Sequence, residues 1–243
     1  MKDDSHIDKG DGTFRSLYLL GGIAALMVAA LTLGEIIFFV FFPPPETIYD
    51  WFLLFQSNAL IGLLDFWGLE IPMYLMFILV FLALYMQLRK TNHGLMVIAL
   101  SCAMLGVAIF LATNNPFSML TLSKLHADAT TEAQQSALLA AGQTILANTN
   151  QRAVGGFNIA LLLVSVAGLI TSLVMLQDHF FSRSSATIGI LAFSLSLADY
   201  LRQTLTQSLI ISLPVILFGA LFLVIWFVLI GLKLYQLGRD DLN

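Results

Sequence analysis

With 58% hydrophobic and only 11% charged side chains in 243 residues, the chain carries more apolar surface than a soluble fold can cover, and its mean hydropathy of +0.88 agrees. Lipid is therefore its expected solvent. A formal charge of −4 with no run of basic residues leaves no nucleic-acid footprint, so DNA and RNA are excluded as expected partners.

A spanning helix needs about 20 mostly apolar residues at ~1.5 Å each to cross a hydrocarbon core of about 30 Å. Six stretches meet this length: Leu17 to Phe42, Leu60 to Gln87, Leu95 to Thr113, Ala153 to Leu176, Ala186 to Thr206 and Ile210 to Tyr235. The expected fold is all-α, a polytopic membrane helical bundle of six transmembrane helices. It reads as one integral membrane domain over 1–243, with residues 1–16 as a tail. The first block is too long for the apolar core of a secretory signal, and its leading tail is rich in acids, so it reads as a retained helix.

After Pro43, Pro44 and Pro45, which cannot continue a helix interior, the segment Glu46 to Asn58 carries Tyr49, Trp51, Phe52 and Phe55. Aromatic rings of this kind favour the headgroup level, so the segment is expected to lie along the outer surface or dip into it. Cys102 falls inside the third block and, as the single cysteine, forms no internal disulfide. The connection 114–150 reads as helical. Asn115 before Pro116 suits a cap and first turn, and Thr131 with Gln134 resembles a capping box. Leu138, Gly142, Ile145 and Leu146 then share one face. This hairpin is expected to lid the bundle; a mobile gate is the alternative.

Six spans put both termini on one side. Lys2, Lys9, Arg15, Arg89, Lys90, Arg183, Lys233 and Arg239 fall on that side, against Lys124, Arg152 and Arg202 on the other. The positive-inside rule then makes both termini cytoplasmic.

The stretch Asn115 to Asn148, NPFSMLTLSKLHADATTEAQQSALLAAGQTILAN, resembles the outer loop of the domain of unknown function 4386 family of six-helix bacterial and archaeal integral membrane proteins. Gly168 to Leu176 into Phe181-Ser182, followed by Thr187 to Leu191, is similar to that family's fourth-to-fifth helix turn. Ile225 to Arg239, IWFVLIGLKLYQLGR, is similar to its closing helix. The likeness covers most of the chain after Pro72. It implies the six-helix architecture and a bacterial-type cytoplasmic (inner) membrane, and it carries over no cofactor or catalytic residue.

Charged groups at bilayer depth are costly and default to functional candidates. At ~1.5 Å per residue, Glu70 lies about 28 Å along its helix from Arg89, and Asp65 lies higher still. Glu35 lies about 30 Å from Arg15 and Asp199 about 21 Å from Ser185 by the same rise. Asn158 is close to Arg152, and Arg202 follows Asp199 by three residues, able to pair along one face. The embedded acids thus gather in the outer half of the bundle, where Glu35, Asp65, Glu70, Asn158, Asp199 and Arg202 form a candidate polar site. The structural alternatives are that charges near helix ends reach the interface and that Asp199 and Arg202 form an ion pair. Asp65 and Glu70 would sit about 140° apart on a regular helix and face one partner only if Pro72 distorts the backbone.

All four histidines, His6, His93, His126 and His179, fall in tails or connections, so neither a helix-borne zinc site nor a Ser-His pair is expected. His126 with Asp128 and Glu132 reads as a solvated loop cluster rather than a metal site. Small residues at Gly21, Ala25, Ala29, Cys102, Gly106, Gly168 and Ser172 suit close internal packing and leave homo-oligomers open. The leading expectation is a non-enzymatic membrane protein that binds, passes or senses an ion or small molecule at an outward-facing polar site. The rivals are a membrane-embedded enzyme using a buried carboxylate and an accessory subunit of a membrane complex. No cofactor is identified.

Overall fold

The computed structural model describes the backbone of residues 10–149, 159–205 and 212–240, and side chains over 14–147, 159–201 and 218–239. Every regular element in them is helical. The helices are α1 (Gly10–Phe41), α2 (Ile48–Ser57), α3 (Ala59–Leu63), α4 (Glu70–Leu88), α5 (His93–Thr113), α6 (Pro116–Asp128), α7 (Glu132–Thr149), α8 (Ile159–Met175), α9 (Arg183–Leu205) and α10 (Ser212–Asp240). Five stretches are long and apolar enough to cross a membrane, Phe14–Phe41, Ala59–Leu88, His93–Asp128, Arg183–Leu201 and Phe218–Arg239. α8 is apolar but shorter, at 17 residues.

The long helices and α8 form a ring in chain order. α1 packs on α4, α4 on α5, α5 on α8, α8 on α9, and α9 on α10, which closes back on α1. Aromatic side chains fill the interior: Phe77 of α4 stacks on Phe227 of α10 with centroids 5.6 Å apart, and Trp226 meets Phe193 of α9 edge-on at 4.9 Å. The small residues at helical spacing serve these internal seams. Gly21 abuts Ala83, Gly106 abuts Val164, Gly168 abuts Phe193, and Ala25 and Ala29 are buried.

Basic residues tie one end of the ring together. Arg15 Nε donates to the Gly238 carbonyl at 2.8 Å, Arg89 lies 5.6 Å over the Phe14 ring, and Thr91 Oγ1 donates to Asp178 at 3.0 Å, joining the α4–α5 and α8–α9 turns.

The short helices cap the opposite end. α2 packs on α6 and α7 around Trp51, Phe52, Phe55, Phe66, Met119 and Leu146, all buried. Three of the four aromatics expected along the outer surface are covered by protein. Tyr49 is exposed, whereas Trp51, Phe52 and Phe55 are enclosed, because α6 and α7 supply an apolar surface that lipid headgroups do not. Local signals of the connection hold. Asn115 Oδ1 accepts from the Phe117 N–H at 3.0 Å, and Thr131 and Gln134 cap reciprocally, each bond 3.3 Å. Gly142 and Leu146 face inward. His126 packs against the rings of Tyr49 and Phe52.

A crossed pair of hydrogen bonds clamps the cap. Ser123 Oγ, fully buried on α6, donates to the Phe52 carbonyl at 2.9 Å, and Gln56 Nε2 donates to the Ser123 carbonyl at 3.0 Å. Ser123→Ala removes the hydroxyl's bond to the Phe52 carbonyl, so we expect a loss of about 1 kcal/mol. Hydrogen exchange should then accelerate in α2 and α6 while α8 and α9 stay protected.

Candidate functional site

α1 and α4 run antiparallel, and three contacts set their register: Phe14 with Arg89, Gly21 with Ala83, and Thr32 Oγ1 with Met73 Sδ at 3.4 Å. Glu35 stands three residues beyond Thr32, and Glu70 three residues before Met73. One turn toward the cap therefore brings both carboxylates to the same level.

The second apolar block is not one regular helix. Between α3 and α4 the chain makes a π-type turn over Leu64–Gly68, in which Phe66 (φ −93°, ψ 71°) and Trp67 (φ 64°, ψ 5°) leave helical geometry. Trp67 is the one non-glycine residue with positive φ among the described residues. Such a conformation costs an aromatic residue about 1–3 kcal/mol and persists only where its surroundings hold it. Those surroundings are aromatic: Phe66 meets Trp51 edge-on at 5.1 Å, Trp67 meets Phe110 edge-on at 5.8 Å, and Tyr74 stacks on Phe110 at 3.6 Å. Gly68 allows the turn to close, because a Cβ there would run into the carbonyl of Leu63.

The break lies between Asp65 and Glu70 and removes the fixed angle that a regular helix would impose. Both residues are interior, 3% and 7% exposed. The backbone does leave helical geometry between the two acids, but at Phe66–Trp67 rather than at Pro72, which lies inside α4. Glu70 is the first residue of α4, whose cap residue Leu69 offers no side-chain acceptor, so its carboxylate complements the positive end of the helix.

Phe66 belongs to the cap cluster, whereas Trp67 packs against both that cluster and the ring interior. The acids thus occupy the junction between bundle and cap. Two buried donors lie on the adjoining elements. Trp67 Nε1 has no acceptor among the described residues, nor has Nδ2 of Asn114, which is 2% exposed one turn beyond Phe110. Glu35, Asp65, Glu70 and Asp199 each take part in internal contacts.

The structure groups the sequence-derived candidates unevenly. Glu35 and Glu70 share a level across the α1–α4 seam, whereas Asp65 lies in the turn that packs on α3, α4 and α6. Asp199 is half-buried on α9, opposite α4 in the ring order. Asn158 lies outside the described residues, and so does the side chain of Arg202. Sequence reasoning missed Trp67 and Tyr74. The signal available was Trp67-Gly68 inside an apolar block, since an isolated glycine there marks a break or a close approach. Among the described residues no three His, Cys, Asp or Glu side chains come together as a metal set, and His126, Asp128 and Glu132 do not converge.

No curated protein and no solved structure matches the chain. Its apolar helices are those of a transmembrane protein, and residues 16–231, most of its length, match the family model described as Domain of unknown function (DUF4386), the family to which the chain belongs.

Proposed function

We propose that the chain crosses the cytoplasmic membrane six times with both termini in the cytoplasm, and that it binds a small cation beneath its outward-facing helical cap. The observation that carries this reading is the break at Phe66–Trp67. It turns one span into two pieces and leaves Asp65 and Glu70 buried at the junction, with Glu70 level with Glu35 across the α1–α4 seam. An acid in a membrane helix costs about 3 kcal/mol on insertion scales. Two buried acids flanking one strained turn are more than helix packing requires, and interrupted helices are a recurrent way to expose backbone and side-chain ligands within a bilayer. Below the acids, Phe77, Phe227, Trp226 and Phe193 fill the ring, which favours binding or sensing over free passage.

The test is a tryptophan-fluorescence titration of the purified chain with Na⁺, K⁺, Mg²⁺ and Ca²⁺, since Trp51 and Trp67 flank the turn. A saturable response to one of these cations is expected. A flat response to all four in wild-type protein overturns the reading.

A further inference from the structure

At the basic end, far from the acids, a cleft of about 450 Å³ opens between the α8–α9 turn and the last turns of α10. Its polar lining is His179, Ser182, Ser185, Lys233 and Gln236. Lys233 Nζ sits 4.7 Å over the ring of Phe180, so the ammonium is held at the cleft and not loose in solvent. Ser182 and Ser185 share a hydrogen bond of 2.8 Å, and the Ser182 hydroxyl also caps α9 through the Ser185 N–H at 3.0 Å. Asp178, which precedes His179 in the chain, is already occupied. It accepts from Thr91 Oγ1 and from the N–H groups of Phe180 and Phe181.

We infer that this cleft holds the phosphate head group of an anionic phospholipid. Charge complementarity selects an anion, because Lys233 lines the cleft and Arg183 begins the adjoining helix. The wall selects a lipid over a free ion. Leu232, 47% exposed on the outer face of α10, forms an apolar lip beside the cation, and this pairing matches a phosphodiester carried on acyl chains. Depth agrees, since the cleft lies where α8 ends, α9 begins and α10 runs out, at the level of one leaflet's head groups. The inference needs neither the acid site nor the orientation of the chain.

The full chain, purified in detergent, is incubated with phosphatidylglycerol or phosphatidylcholine, and retained lipid is counted by native mass spectrometry. Phosphatidylglycerol should be retained and phosphatidylcholine washed away. Lys233→Gln should weaken retention about fivefold, the worth of one basic residue at a membrane surface. Gln236 is exposed, so charge can be changed there without disturbing packing: Gln236→Glu should weaken retention and Gln236→Lys strengthen it. Equal retention of both lipids, or indifference to the sign of charge at position 236, overturns the inference. Displacement of phosphatidylglycerol by millimolar inorganic phosphate also overturns it, by showing a site for the free anion.

Discussion

Replacing Glu70 by Gln and Asp65 by Asn should weaken the cation response at least about tenfold while leaving the bundle folded. Each change keeps the side-chain volume and a carbonyl acceptor, so local packing is preserved and only the charge is removed. Loss of the Glu70 charge from the start of α4 costs about 0.5 kcal/mol of helix-dipole interaction. That is too little to unfold the ring. For the ligand the loss is larger, at least about tenfold in affinity for each carboxylate, or ~1.4 kcal/mol. Helicity by circular dichroism should match wild type, while half-saturation in the fluorescence titration moves up tenfold or beyond. Unchanged half-saturation in the double variant would mean that these acids are held for architecture alone. Glu35→Gln should give a weaker effect in the same direction, because Glu35 is more exposed than Glu70.

The largest effect on stability is expected at the seam that closes the ring. A Cβ on Gly22 would stand 2.6 Å from the backbone nitrogen of Tyr235, 2.8 Å from the Gly231 carbonyl oxygen and 2.9 Å from the Tyr235 Cα. All three are backbone atoms, so no side chain can swing aside, and Gly22→Ala must push α1 away from α10. Overpacking of this kind costs about 1–3 kcal/mol. Gly34 on the same helix is the control, because a Cβ there meets nothing within 4 Å. Gly34→Ala should be neutral or stabilising, up to about 1 kcal/mol, since alanine is the better helix former. Thermal unfolding in detergent should therefore separate two identical substitutions twelve residues apart. Equal melting temperatures would refute the close α1–α10 packing.

What the sequence disclosed and what it hid follow from the range of the forces involved. Apolar blocks, caps such as Asn115-Pro116 and the Thr131–Gln134 pair are local signals, and the structure contains them. The matched levels of Glu35 and Glu70 were also legible, because distance along a helix from Arg15 or Arg89 is a local count. The break at Trp67 was not. A positive φ at an aromatic residue opposes local preference and exists only through Phe110, Trp51 and the cap, which come from distant parts of the chain. The burial of Trp51 and Phe52 was not legible for the same reason, since their partners on α6 and α7 lie far away in sequence. Asp199 fell with the other acids when depth alone was counted, yet the ring order sets α9 across from α4.

Everything proposed for the acid site depends on the capped end facing outward and the basic end facing the cytoplasm. With Cys102 replaced by Ser, single cysteines at Thr130, exposed in the α6–α7 turn, and at Lys90, exposed after α4, report the two ends. A membrane-impermeant maleimide applied to intact cells should label Thr130→Cys directly and Lys90→Cys only after permeabilisation. The reverse pattern would place the acids on the cytoplasmic side and contradict the account.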